Sequence, residues 1–303
     1  MFVTLVAVIV ALVLGHIAPA LAASVRHYGW FDTWLRWLDG RLAQNDFWRS
    51  RYGISLGLAP PLAAVALLQI ALDAPLLGLV GLLFGIAMLF YAWGPRDLDL
   101  DVDAIVEARD PAARREAASR LLPPGDADLL DTPTLVEAVF NNALRRWFGV
   151  LFWFLLLGPF GALLYRLVAL AADGEPQRAL PPDTAGGARV LLVVLDWPVA
   201  QLMTLSMALV GNFDTVLGAW KDAGGASLQL DTGFLGAAGR ASVRSEIADE
   251  AQEYAEQGGA TSTGIVIQLG ELPELRDAMS LVWRTLLVWL AVLALFVVAG
   301  WVA

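Results

Sequence analysis

Charged and polar side chains set inside long apolar runs are the residues of this chain with most to do. Burying them in hydrocarbon costs free energy that a partner, a cavity or a role must offset. Asp196 lies six residues into the run Val190–Val210, followed by Pro198 and Gln201. If ionised, it needs an arginine from another segment, such as Arg145, Arg146 or Arg284, or else water. Asn141, Asn142, Arg145 and Arg146 cluster where a second run, Phe148–Leu170, begins, and Arg166 is the single charge within that run. Arg166 either snorkels to the interface or joins the same polar group. Asn142, Arg145, Arg146, Arg166, Asp196 and Gln201 are thus candidates for holding a small polar ligand.

A second set alternates in the stretch RDLDLDVD. Asp97, Asp99 and Asp101, with Asp103, are oxygen ligands of the kind Mg²⁺ or Ca²⁺ takes. No glycine or terminal Glu completes a calcium loop, and the competing reading is a solvated junction leading into a helix cap. Other chemistries are excluded or weak. The chain has no Cys and only two His, His16 and His27, so thiolate sites and Cys nucleophiles do not arise. It has no GxxxxGK[ST] loop. A net charge of −10 argues against a nucleic-acid surface.

The elements that must position these residues are apolar. Hydrophobic residues make up 58% of the 303, against about 45–50% in soluble domains, and the mean hydropathy is +0.62. Phe148–Leu170 is 23 residues with one charge, about the length that crosses roughly 30 Å of hydrocarbon. Similar runs occupy 1–23, 53–72, 74–93, 190–210 and 281–303, leaving connections 24–52, 94–147 and 211–280. The expectation is an all-α integral membrane protein forming a single membrane domain, with five to six transmembrane or re-entrant helices plus interfacial and cytosolic ones. Pro198 leaves 190–210 open to spanning or re-entry. Ala20-Leu21-Ala22 resembles a signal-peptidase site, but no basic residue precedes the first run, which favours a retained helix.

Arginines set the orientation. The connections 24–52 and 94–147 are rich in them and belong in the cytoplasm. The Asp73-Ala74-Pro75 turn, with none, belongs outside, and so does the Ala171–Arg189 link. Trp30, Trp34 and Trp37 recur with Phe31, Leu38 and Leu42 at helical spacing, as in a helix lying in the interface plane. Residues 101–122 suit two helices parted at Asp110-Pro111. SVRSEIADEAQEYAEQ suits a helix between glycine-rich loops at 224–239 and 258–263.

Three stretches resemble the AmpE/CobD-CbiB family of inner-membrane proteins. They are EAVFNNALRRWFGVLFWFLLLGPFGALLYRLV (137–168), VLDWPVAQLMTLSMALVGNF (194–213) and RDLDLDVDAIVEARDPAARREA. The resemblance adds Tyr165, which with Arg166 stands at the family's Tyr-Lys pair, to the candidate site. It also assigns Asp196 to a functional motif. The cobalamin-pathway amide synthases of the family carry a Glu-Asn-x-x-Asp-Gly element. Here only Asn142 of it remains, with Arg145-Arg146 following. Their paired Asp becomes Asp196-Trp197, and the Arg of their PARL segment becomes Gln201.

An ATP-consuming ligase needs carboxylates for Mg²⁺. With most of them gone, the resemblance points to the AmpE branch. It implies a multi-pass, non-catalytic regulator of the bacterial inner membrane, linked to peptidoglycan recycling and β-lactamase induction. Its partners would be the lipid bilayer and a small cell-wall-derived ligand or a cytosolic protein. The alternative is a membrane amide synthase like adenosylcobinamide-phosphate synthase, which would bring ATP and Mg²⁺ as cofactors.

Overall fold

The computed structural model describes residues 2–17, 24–72, 78–94, 97–122, 131–227, 229–256 and 272–299. The Ala20–Ala22 cleavage-site reading, the Asp73–Pro75 turn and the 258–263 loop fall outside them. Among the described residues the elements are helical, without strands. The helices divide between two compact units. The first comprises Met1–Pro95, Arg145–Asp196 and Leu293–Ala303, and the second Arg96–Leu144 and Trp197–Val292.

In the first unit, α1 (Phe2–Ile17), α3 (Ile54–Leu72) and α4 (Gly78–Ala92) are apolar helices, and α1 packs on α4. Between α1 and α3 lies α2 (Gly29–Leu42), at the place where tryptophan periodicity predicts a helix. It buries Phe31, Leu35 and Leu38 at positions i, i+4 and i+7. The last carbonyls of a helix lack intrahelical partners, and at α4 side chains supply them. Arg26 donates to the carbonyls of Phe90 (3.0 Å) and Gly94 (2.8 Å), Tyr28 to Tyr91 (2.5 Å) and Arg166 to Ala92 (2.6 Å). Two guanidinium groups at that end also complement the helix dipole. Burial raises the Tyr28 phenol above its ordinary value, so it remains a protonated donor.

The run Phe148–Leu170 is not one span. A π-helical turn, Leu144–Phe148, leads into α8 (Gly149–Leu157), and α9 (Pro159–Asp173) returns antiparallel to it as a hairpin. Gly158 joins the two with φ +67° and ψ −152°, a region almost confined to glycine. Pro159 then starts α9, where its missing N–H costs nothing. Gln69 of α3 closes the joint: its amide donates to the Leu157 carbonyl (3.2 Å) and its oxygen accepts from Phe160 N–H (3.0 Å). A proline within a helix by itself gives a kink. The full reversal arises because Gln69 satisfies groups on both sides of the break, which would be costly to bury unpaired.

The 171–189 link contains a 3₁₀ turn, Glu175–Ala179, packed on α2. Thr184 donates to the carbonyl of Trp48, and Gly187 lies so close to the Arg51 carbonyl that a Cβ would collide with it. The link therefore shares one side with the 24–52 connection, rather than facing the opposite side.

α10 (Pro182–Val210) is one continuous helix through Pro198, so the re-entrant break does not occur. In the second unit α5 (Leu98–Val106) and α6 (Pro111–Ala118) are parted as Pro111 predicts, with Asp97 and Asp110 as N-caps. α7 (Thr132–Ala143), capped by Asp131, packs on α12 (Gly233–Glu256). There the Phe140 ring occupies the space above Gly239, and Arg240 pairs with Glu137 at 2.8 Å. Helix α12 begins at Gly233, inside the expected 224–239 loop. α11 (Phe213–Asp222) also packs on α12, and α13 (Pro273–Val298) ties to it through Arg284–Glu246 at 2.6 Å.

By length and composition, three described helices can cross a membrane: Ile54–Leu72, Pro182–Val210 and Pro273–Val298. This supports an all-α membrane protein but not five to six spans. Besides the broken fourth run, α1 and α4 have only 16 and 15 residues, about 24 Å or less at 1.5 Å per residue.

Candidate functional site

The hairpin brings its two ends together. Arg145, in the π-helical entry turn, donates to Asp173 at the exit (2.6 Å). The same guanidinium reaches inward, placing Nε 3.5 Å from Asp196 Oδ2. The other oxygen of Asp196 accepts a 2.5 Å hydrogen bond from the Tyr165 hydroxyl. Asp196 and Tyr165 are buried, at 1% and 0% exposure. The Arg145 side chain is 43% exposed and that of Asp173 46%. The arginine thus links a buried carboxylate to the surface, and all four residues lie in the first unit.

Each position has a local cause. Gly149 is where the Tyr165 ring crosses α8, and any Cβ there would occupy the space of the ring. The absent side chain lets the hydroxyl reach α10. Beside Asp196, the indole N–H of Trp153 donates to the Leu195 carbonyl at 3.2 Å. That carbonyl lies next to the ladder position Pro198 cannot fill. Arg166 is buried rather than snorkelled: besides Ala92, it reaches the carbonyls of Arg145 and Arg146 in the π-helical turn at 3.5 Å each. It holds open the widened turn from which Arg145 projects. Turns of this kind recur at functional sites.

The group sets two arginines, Arg145 and Arg166, beside two carboxylates, Asp173 and Asp196. A guanidinium has five N–H donors, and the described partners of Arg145 engage two nitrogens, Nη1 and Nε. The remaining Nη2 of this half-exposed, pre-oriented guanidinium can donate to an anionic oxygen.

The other sequence candidates lie elsewhere. Arg146 packs its aliphatic stem against Gly94, and its carbonyl accepts the Gly94 N–H at 3.1 Å. In the second unit the Asn142 amide donates to the carbonyls of Ala138 (2.8 Å) and Leu121 (2.9 Å). Gln201 donates to the Gly225 carbonyl and accepts from the Trp220 indole, both at 2.9 Å. Asp97 caps α5 by accepting from Asp99 N–H, Asp99 accepts from the Trp283 indole at 2.9 Å, and Asp101 is buried. Among the described residues no three His, Asp or Glu side chains gather in a way that could hold a metal ion.

Asp173, Gly149 and Gln69 were not candidates. Asp173 and Gln69 carry no local signal, since their partners are 28 or more residues away. Pro159, near the middle of the run, marks a local break in the helical ladder but not its direction.

The chain is 29% identical, over 266 residues, to a protein of Stutzerimonas stutzeri described as cobalamin biosynthesis protein CobD. The match covers 84% of each chain. No protein-family model matches the sequence, and no solved structure does. The likeness supports the CobD/CbiB superfamily but not the AmpE branch within it. It also overturns the regulatory reading: the named relative is biosynthetic, and nothing links the chain to β-lactamase induction.

Proposed function

We propose that this chain is a membrane amide synthase of the cobalamin-pathway type, resembling adenosylcobinamide-phosphate synthase. The observation that carries this reading is the likeness to CobD along 84% of both chains. Such an enzyme joins a carboxylate to an amine at the expense of ATP, so it must hold anionic groups next to a nucleophile. Arg145 is the residue for that task. Asp196 and Asp173 fix its guanidinium from two sides, and Tyr165 fixes Asp196 in turn. Preorganised donors of this kind act on charge without reorganising during reaction.

ATP with Mg²⁺ belongs to the same proposal as the co-reactant. Among the described residues no three carboxylates gather into a metal site, so the ion would be held chiefly by the phosphates of ATP. The departures from the synthase motifs, Asp196-Trp197 and Gln201 among them, point to a relative with altered substrate contacts.

The test is complementation. A cobalamin-producing strain lacking its own amide synthase should regain cobalamin-dependent growth when it expresses this chain. Arg145→Gln and Asp196→Asn proteins, present at equal level in the membrane, should restore it at least ~10-fold less well. No rescue by the abundant wild-type protein would sink the reading.

A further inference from the structure

A groove of about 550 Å³ lies between α2 and the first half of α3, lined by Trp30, Thr33, Trp34, Trp37, Pro60 and Pro61. Its origin is local. Pro61 has no N–H to offer the Gly57 carbonyl one turn back, and the Trp34 indole donates to that carbonyl instead, at 2.9 Å. The two helices can come this close because Gly57 lacks a side chain, so a Cβ there would lie 2.7 Å from a Leu35 methyl. Trp37 stacks on Trp34 with centroids 5.2 Å apart, extending the aromatic wall along one face of α2.

The groove offers little hydrogen bonding to an occupant. The Trp34 indole is engaged with Gly57, the Trp30 indole donates to Tyr91 (2.6 Å), and the Thr33 hydroxyl donates to the Gly29 carbonyl of its own helix (2.9 Å). Its second wall belongs to a helix long and apolar enough to span a membrane, with Leu67, Leu68 and Ile70 facing outward. Pro60 lies six residues into that helix, about 9 Å from its end. That depth matches the headgroup–acyl boundary, where tryptophans settle. At the end of α2 the Arg41 guanidinium sits over the Trp37 ring, 5.3 Å from its centroid. Arg36 is paired with Asp32 at 2.8 Å, which leaves Arg41 as the cation beside the groove.

We infer that this groove binds one anionic phospholipid, with an acyl chain between the tryptophans and Pro60-Pro61 and the phosphate on Arg41. This holds α2 in the plane of the bilayer. The inference is independent of the proposed synthase activity. The test uses the full-length protein in mild detergent, titrated with phosphatidylglycerol or phosphatidylcholine and followed by native mass spectrometry. The wild type should retain phosphatidylglycerol about fivefold more tightly, as expected of one basic side chain at an anionic headgroup. Arg41→Gln should abolish that preference. Trp37→Ala, at a half-exposed position that spares the core, should weaken retention of both lipids. Equal retention of the two lipids by the wild type would overturn the inference, and so would unchanged binding by both variants.

Discussion

At the scale of single residues, the Tyr165–Asp196–Arg145 contacts make sharply different predictions for conservative changes. Tyr165→Phe removes one hydrogen bond to a carboxylate, worth roughly 1.5–3 kcal/mol, and leaves Asp196 held by Arg145 alone. The protein should still accumulate, but with a lower melting temperature in detergent and reduced complementation. Asp196→Asn keeps the shape and can still accept from Tyr165, so its melting temperature should change less than its activity. Equal losses of stability and function in both variants would mean that the contacts are only structural. Gly149→Ala probes the same geometry from below: its methyl collides with the Tyr165 ring, at about 1–3 kcal/mol for overpacking. It should reproduce the Tyr165→Phe phenotype without touching a polar group.

At the scale of elements, the hairpin α8–α9 depends on its joint. Gln69→Leu would leave the Leu157 carbonyl and the Phe160 N–H unpaired, at about 1–3 kcal/mol each. Gly161 packs directly on the Trp153 carbonyl across the hairpin, whereas Ala291 in α13 is exposed. Gly161→Leu should therefore lower the detergent melting temperature far more than Ala291→Leu. Equal shifts would contradict close packing of the hairpin. The reversal was only half legible in the sequence. Pro159 interrupts the ladder, but a break becomes a kink or a turn-back according to what caps the freed groups. Here the cap comes from α3, some 90 positions away.

At the scale of the whole molecule, the hairpin changes which connections share a side of the membrane. Thr184 bonding to Trp48 puts the 171–189 link on the side of the 24–52 connection, and Arg145 bonding to Asp173 puts it beside the end of the 94–147 connection. By the arginine distribution that side is expected to be the cytoplasm. The chain has no Cys, so single cysteines report cleanly. Arg49→Cys and Glu175→Cys, both at exposed positions, should resist an impermeant thiol reagent in intact cells and label together in inverted vesicles. Labelling from opposite sides would restore a single span at 148–170.

The amino-acid sequence alone determined the properties that depend on local chemistry. Apolar runs impose helices, because lipid leaves backbone groups no other partner. Asp97, Asp110 and Asp131 start helices because their carboxylates accept from the first free N–H groups. Arg166 and Asp196 stood out because charge inside such runs needs a partner, and Arg145 because it sits at the mouth of one. Only the tertiary structure decided which partner each received and that the run 148–170 folds back on itself. Asp173 meets Arg145, and Gln69 closes the turn, through contacts between positions far apart in the chain. Hydropathy and periodicity describe a residue's neighbours along one helix. They carry no information about which distant side chain satisfies a broken backbone or a buried charge.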